Sequence, residues 1–132
     1  MLHHVDVHVR DIAGACTLFD ALAEYVGYRR VADTGEPEEP GFVGYEPCNG
    51  GRPRIGLIPD AGSQAGSMRL AFGVADRSQV DAAAAAARDA GARAIEGPCV
   101  HSEYGDYYAV FFEDAEGNKF EITVVIRAAP AN

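Results

Sequence analysis

The chain has 132 residues, of which 48% are hydrophobic and 23% charged, and its net charge is −9. This length fits one compact domain, and the composition is that of an ordinary soluble globular protein. The chain has twenty acidic and eleven basic residues, and the basic residues form no stripe. This argues against a nucleic-acid partner, because phosphates are bound by clustered Lys and Arg.

The N-terminal segment MLHHVDVHVR lacks the cationic region and the apolar core of a signal peptide. The apolar runs elsewhere are too short to cross a bilayer. We therefore expect a cytoplasmic protein with no membrane partner. The basic residues are ten Arg and one Lys, which with abundant Ala and Gly is typical of a high-GC bacterial genome.

The three cysteines include no C-x-x-C pair, so neither a zinc knuckle nor a redox dithiol is indicated. Cys16 falls on the apolar face of a predicted helix and is expected in the core. Cys48 and Cys99 are expected in loops.

The first half opens with HHVDVHVRD at positions 3–11, whose alternation of apolar and other residues predicts a half-buried strand. The last residue, Asp11, is a typical helix N-cap. The stretch IAGACTLFDALAEYVG then places apolar residues on one helical face and stops near Gly27. TGEPEEPG is expected to form an exposed acidic loop. Short strands are predicted at 28–32, 41–46 and 54–58.

The second half repeats this order. MRLAFGVAD at 68–76 has the same alternation, and Asp76 with Gln79 predicts a capping box. The segment RSQVDAAAAAARDAG is strongly helix-forming and stops at Gly91. The turn DAEGN makes a hairpin of the last two strands. Strands are predicted at 93–96, 107–113 and 120–126.

Each half is therefore predicted to be β-α-β-β-β, which gives an α+β fold with two tandem modules. Module one covers about 1–60, a Gly- and Ser-rich linker covers about 61–67, and module two covers about 68–127. A duplicated unit of this kind packs about a pseudo-twofold axis, and equivalent strands then line one shared cleft.

Side-chain alternation along the strands predicts which residues face that cleft. In the first strand these are His4, Asp6 and His8, since the valines between them face the helix. In the second half Arg69 and Glu121 take the same side. Imidazole and carboxylate groups are suitable ligands for a divalent metal and suitable groups for acid–base chemistry.

Further candidates lie in CVHSEYGDYY. His101 is expected in a loop over the cleft mouth. Tyr104, Tyr107 and Tyr108 form an aromatic cluster able to line a pocket for a planar ligand. Alternation places either Tyr107 or Tyr108 in the cleft without deciding between them. His101, Tyr104 and Tyr108 are candidate substrate-binding residues.

Three stretches resemble the vicinal oxygen chelate superfamily, which includes glyoxalase I, bleomycin-resistance proteins, fosfomycin-resistance thiol transferases and extradiol dioxygenases. They are HHVDVHVRD, RLAFGVAD and EYGDYYAVFFEDAEGNKFEI, and the last resembles the family pattern of Tyr-Tyr, Phe, Asp-x-x-Gly-Asn and then Glu. The resemblance covers nearly the whole chain and implies a glyoxalase-like fold of two modules.

The resemblance also implies metal ligands on the first and last strands of a module. His4 and Glu121 match two of these positions, but the other two hold Arg69 and Gly56. One divalent metal (Zn, Mn, Fe, Ni or Co) is therefore expected only if another side chain completes the set. The candidates for that role are His8, Asp6 and His101. Otherwise Arg69 holds an anionic substrate group or pairs with Glu121, or the cleft simply binds an organic molecule.

Two functions follow from the resemblance. The first is a metal-assisted lyase, isomerase or transferase acting on a small oxygenated molecule, with Glu121 as ligand and catalytic base and His4 as a ligand. The second is a non-catalytic drug-sequestering protein of the bleomycin-resistance type with a degenerate metal site. The residues expected to contact the small molecule are Arg69, Asp6, His8, His101, Tyr104 and Tyr108.

The resemblance also implies a homodimer, with clefts near or across the interface. The sequence leaves open whether the two modules share a cleft within one chain or between two chains.

Overall fold

The computed structural model describes residues 1–33, 41–104 and 106–125, except for the side chains of residues 32, 33 and 104. The described residues form eight strands and two α-helices. In chain order these are β1 (His4–Val9), α1 (Ile12–Val26), β2 (Tyr28–Asp33), β3 (Val43–Pro47), β4 (Arg54–Pro59), β5 (Arg69–Val74), α2 (Arg77–Asp89), β6 (Arg93–His101), β7 (Tyr107–Glu113) and β8 (Lys119–Val124).

The strands form two four-stranded mixed sheets of the same design. Their strand orders are β1-β4-β3-β2 and β5-β8-β7-β6. In each sheet the first pair is parallel, β1 with β4 and β5 with β8, and the other pairs are antiparallel. The prediction of an α+β fold built from two β-α-β-β-β modules is therefore confirmed.

Both helices begin and end where the sequence predicts. Asp11 caps α1 by accepting a hydrogen bond from the Gly14 N–H at 3.0 Å. Gly27 ends α1 in the left-handed conformation, with φ 79°. At α2, Asp76 and Gln79 form the predicted capping box. These caps satisfy some of the backbone groups that a helix end leaves without partners.

A single hydrophobic core joins the two modules, with Phe19 of α1 near its centre. The Phe19 ring centroid lies 5.3 Å from that of Tyr45 in module one. It lies 6.3 Å from Phe72 and 5.4 Å from Phe120, both in module two. Because α1 also packs against α2, the helices hold the two sheets in one body.

Several predicted strand ends differ from the structure: β3 begins at Val43 and not at 41, and β8 ends at Val124, before residue 125. The largest difference is at β6. β6 was expected to cover 93–96, but it continues to His101, pairing with β7 through irregular register shifts. Cys99 and His101 therefore lie on a strand and not in loops. Residues 34–40 of the predicted acidic loop and residue 126 at the predicted end of β8 lie outside the described residues.

Within the described part of the chain, no helix combines the length and the apolar character needed to cross a membrane.

Candidate functional site

Five of the predicted site residues, namely His4, Asp6, His8, Arg69 and Glu121, line three pockets. The first, called the first-module pocket, has a volume of about 330 Å³. It is lined by His3, His4, Asp6, Phe42, Tyr45, Arg54 and Gly56 together with aliphatic side chains. Nε2 of His4 lies 3.7 Å from Oδ2 of Asp6, and Nδ1 of His4 lies 2.8 Å from Nδ1 of His3. His3 and His4 are both exposed, so they lie at the mouth of this pocket.

Gly56, at a position where the resemblance implies a metal ligand, lies against two neighbouring side chains. Gly56 lies opposite Asp6 in the parallel register of β1 and β4. A Cβ atom at Gly56 would come within 2.5 Å of Cε2 of Phe42 and within 2.5 Å of Oδ1 of Asp6. A side chain at Gly56 would therefore require the Phe42 ring and the Asp6 carboxylate to move.

The second pocket, called the inter-module cleft, is shared by both modules. It has a volume of about 200 Å³ and is lined by Asp6 and His8 of β1, by part of the connecting segment, and by Leu70, Lys119 and Phe120. Nδ1 of His8 lies 2.9 Å from Oδ2 of Asp60. This hydrogen bond is the main cause that lowers the pKa of Asp60. His8 is thus engaged with Asp60 on the side of module one.

The third pocket, called the second-module pocket, contains the carboxylate of Glu121 from β8. It has a volume of about 300 Å³ and is lined by Arg69, Tyr107, Phe111 and Glu121. Glu121 is only 7% exposed, and the hydroxyl of Tyr107 donates a hydrogen bond to its Oε1 atom. The guanidinium carbon of Arg69 lies 4.6 Å from the centre of the Phe111 ring.

Strand register explains how these four side chains come together. Glu121 of β8 lies between Ala71 of β5 and Phe111 of β7 in one row across the sheet. Because alternate residues of a strand share a face, Arg69 and Tyr107 lie on the same side as Glu121. The small Ala71 beside Glu121 leaves room above the carboxylate.

His101 lies against Phe111, one of the residues that line the second-module pocket. Its ring packs edge-on against Phe111, with centroids 4.9 Å apart and planes at 90°. The prediction that a loop carries His101 is wrong, because His101 ends strand β6.

Tyr108 lies on the other face of β7, which corrects its selection as a cleft residue. Its hydroxyl donates a hydrogen bond to Asp81 of α2 at 2.5 Å, and its ring packs against the hydrophobic core. Alternation then turns Tyr107 towards Glu121, so Tyr107 is the tyrosine of the pocket. Tyr104 ends a short 3-10 helix, and its side chain lies outside the described residues.

Within one chain, the residues present do not fit the metal site that the resemblance implies. His4 and Glu121 line different pockets of the chain. Arg69 is a permanent cation that only donates hydrogen bonds, so it repels a metal beside Glu121. Across the described residues, no group of three or more His, Cys, Asp or Glu side chains is placed to hold a metal ion.

Phe111 was missed by the sequence interpretation although a signal for it was present. The hairpin turn DAEGN at 114–118 pairs Glu113 with Lys119, and counting outward from this pair places Phe111 opposite Glu121. The role of Phe42 had no such signal, because its contact with Gly56 depends on how the segment before β3 folds over the sheet.

Comparisons with known proteins agree with this architecture. A family model for glyoxalase-like domains matches residues 9–123. A glyoxalase/bleomycin resistance protein from Albidiferax ferrireducens T118 is 25% identical, with a TM-score of 0.74, over 96% of this chain and 99% of that chain. The search of curated proteins returned no significant match.

Two further solved structures share the fold at lower identity. A glyoxalase/bleomycin resistance protein/dioxygenase family enzyme from Burkholderia phytofirmans PsJN is 22% identical, with a TM-score of 0.71, over 93% of this chain and 97% of that chain. The fosfomycin resistance protein FosX from Listeria monocytogenes is 12% identical, with a TM-score of 0.71, over 96% of this chain and 93% of that chain. The chain belongs to the glyoxalase-like domain family, within the vicinal oxygen chelate superfamily.

Proposed function

We propose that this protein binds a small oxygenated organic molecule in the second-module pocket, and that Arg69 takes the place of a metal ion there. The molecule carries an anionic group, such as a carboxylate or a phosphonate, on an apolar or aromatic body. The observation that carries the proposal is that Arg69 lines the same pocket as Glu121. Arg69 is also at a position where the resemblance implies a metal ligand.

The pocket offers three kinds of contact to such a molecule. The exposed guanidinium of Arg69 can form a bidentate pair with a carboxylate or phosphonate. The ring of Phe111 supplies an apolar surface and also supports the Arg69 guanidinium by a cation–π contact. The Glu121 carboxylate can accept a hydrogen bond from a donor group of the ligand in addition to the one from Tyr107.

Binding without a metal is supported by both halves of the chain. In module two, Arg69 is a cation where the family has a ligand. In module one, Phe42 and Asp6 occupy the space beside Gly56. Restoring a four-ligand site would require changes in both modules. This favours the drug-sequestering interpretation over metal-assisted chemistry.

The test is the binding of phenylphosphonate, measured by isothermal titration calorimetry and by the shift in thermal unfolding. Arg69→Gln is expected to weaken binding at least about tenfold, because charge-assisted pairs are the stronger class of hydrogen bond. Arg52→Gln is the matched control, since Arg52 is exposed and lines none of the three pockets described above. An Arg69→Gln variant that binds phenylphosphonate as tightly as the unmodified chain would contradict the proposal.

A metal-assisted lyase, isomerase or transferase is the second candidate. Its support is Glu121, a buried carboxylate at a family ligand position with a phenol hydroxyl on it. Because His4 and Glu121 line separate pockets, this candidate requires a homodimer in which the first-module pocket of one copy faces the second-module pocket of the other. Glu121→Gln should then abolish turnover and leave the fold intact.

Metal content separates the two candidates. Tag-free protein purified without chelator is analysed by mass spectrometry for Mn, Fe, Co, Ni and Zn, and its oligomeric state is measured by sedimentation. One equivalent of metal, lost in both His4→Ala and Glu121→Ala, supports the enzyme and contradicts metal-free binding. Less than a tenth of an equivalent, with no stabilisation by added metal, supports the binding protein.

A further inference from the structure

The edge strand β6 carries a thiol and an imidazole on the same side of the sheet as Glu121. In the register of β6 and β7, Cys99 lies opposite Ala109 and His101 lies opposite Tyr107. Tyr107 lines the second-module pocket, so alternation places Cys99 and His101 on the pocket side as well. Sγ of the exposed Cys99 lies 3.6 Å from Nε2 of His101.

The second nitrogen of His101 faces a carboxylate. Its Nδ1 atom lies 3.6 Å from Oε1 of Glu103, and the His101 side chain is 16% exposed. The Phe111 ring packs against the imidazole and restricts its orientation. A carboxylate beside Nδ1 favours the tautomer with the proton on Nδ1, which leaves Nε2 as an acceptor directed at the thiol. The thiol of Cys99, the imidazole of His101 and the carboxylate of Glu103 thus lie next to one another as nucleophile, base and orienting group.

We propose that Cys99, His101 and Glu103 form a nucleophilic thiol site that adds to soft carbon electrophiles of the α,β-unsaturated carbonyl class. This site acts by covalent addition and does not depend on the reversible binding proposed for the second-module pocket. Cys99 is the reacting group, His101 is the base, and Glu103 is a positioning residue.

The chemistry requires no co-reactant. Nε2 of His101 takes the thiol proton, and the sulfur forms a bond to the β-carbon of the electrophile. The carbon–carbon π electrons move towards the carbonyl and give an enolate, which recovers a proton from the His101 imidazolium at the α-carbon. The product is a thioether, no group leaves, and nothing is oxidised or reduced.

The chain contains its own reference thiol. Cys48 is exposed like Cys99 and follows β3. In the described part of the chain, no histidine nitrogen lies within hydrogen-bonding distance of the Cys48 sulfur. Cys16 is buried. The two exposed thiols therefore differ in the presence of an imidazole, which is the feature under test.

The experiment measures alkylation of the intact protein by acrylamide, with the rate at each cysteine read by peptide mass spectrometry between pH 6 and pH 9. At pH 7 we expect Cys99 to react at least about tenfold faster than Cys48, because a positioned base contributes on this scale or more. In His101→Gln the Cys99 rate should fall to that of Cys48, and the pH profiles of the two cysteines should coincide.

Glu103→Gln should lower the Cys99 rate by a smaller factor and leave the Cys48 rate unchanged. This second variant changes an exposed side chain, so it keeps the test valid if His101→Gln fails to fold. Melting temperature and the Cys48 rate report on folding in every variant. Equal rates at Cys99 and Cys48 in the unmodified chain would overturn the proposal, as would a Cys99 rate unchanged in His101→Gln.

Discussion

The hydroxyl of Tyr107 donates a hydrogen bond to Oε1 of Glu121, across the β7–β8 part of the second sheet. Glu121 is 7% exposed and lies between Phe120 and Ile122, which are both buried in the core. A buried carboxylate is costly unless hydrogen bonds satisfy it. The Tyr107 contact therefore explains how an acidic residue is accommodated in a strand that otherwise supplies the core.

Tyr107→Phe should destabilise the fold because it leaves part of this carboxylate without a donor. We expect the free energy of unfolding to fall by about 1–3 kcal/mol, the cost of an unsatisfied buried group. Tyr25→Phe is the control, since Tyr25 is 38% exposed on α1. Urea unfolding at neutral pH measures both variants. An equal, small effect at the two positions would contradict the assigned role of Tyr107.

Local sequence patterns predicted the modules well but misplaced the end of β6. The N-caps of both helices, Asp11 and Asp76, can be recognised in the sequence because each bonds to a residue within the first helical turn. Gly97 and Pro98, by contrast, read as a loop signal. In the fold they lie in β6, an edge strand with irregular register, where proline removes no ladder hydrogen bond that the sheet needs.

The sequence predicted which side chains share a face of a strand, but not how the two sheets lie relative to each other. Alternation correctly placed Arg69 and Glu121 on one face, because facing depends only on strand geometry. It gave no information on how the two sheets are related. That relation is set by the packing of α1 against α2 and by Phe19 contacts to both modules, and it leaves His4 and Glu121 in separate pockets.

A carboxylate of module two binds the backbone of module one just before α1. Glu116 accepts hydrogen bonds from the Arg10 N–H at 2.7 Å and from the Asp11 N–H at 2.9 Å, and its side chain is 13% exposed. Glu116→Ala should therefore lower the free energy of unfolding by about 1–3 kcal/mol. Glu24→Ala on the exposed side of α1 is the control, and chemical unfolding is the measurement. Similar stability for both variants would show that the contact does not bind the modules together.

Alanine substitutions at Gly97 and Gly91 distinguish the cost of backbone strain from the cost of a steric clash. Both have a positive φ, 92° and 94° respectively, so alanine is strained at either position. A Cβ at Gly91 meets nothing within 4 Å, whereas a Cβ at Gly97 would lie 2.7 Å from the Ala109 carbonyl oxygen and 2.9 Å from the Cys99 nitrogen.

Gly91→Ala should cost about 1–2 kcal/mol from backbone strain alone. Gly97→Ala should cost about 1–3 kcal/mol more, because backbone atoms must move apart. It should also alter the alkylation rate of Cys99, whose backbone lies against the new methyl group. Thermal and urea unfolding of the two variants provide the comparison, and equal losses would contradict the close approach of β6 and β7.

Tyr45 should make the stability of the protein fall at high pH. It is 1% exposed, and its hydroxyl donates a hydrogen bond to Oδ1 of Asp20 at 2.6 Å. Burial, followed by this bond to a carboxylate, raises the pKa of Tyr45 well above the ordinary value of 10.0. The folded state therefore retains a proton that the unfolded state releases. Stability from this group is complete below pH 10 and is lost as the pH rises above it.

The expected loss is about 1.4 kcal/mol per pH unit above pH 10 for each such tyrosine. Burial also raises the pKa of Tyr28, so the unmodified chain contains a further contribution of the same sign. Tyr45→Phe should be less stable at pH 7, since it loses the bond to Asp20, but its stability should fall less steeply between pH 10 and pH 11. Urea midpoints at half-unit steps measure the slope, with Tyr25→Phe as the control. An unchanged slope in Tyr45→Phe would show that Tyr45 ionises without unfolding the chain.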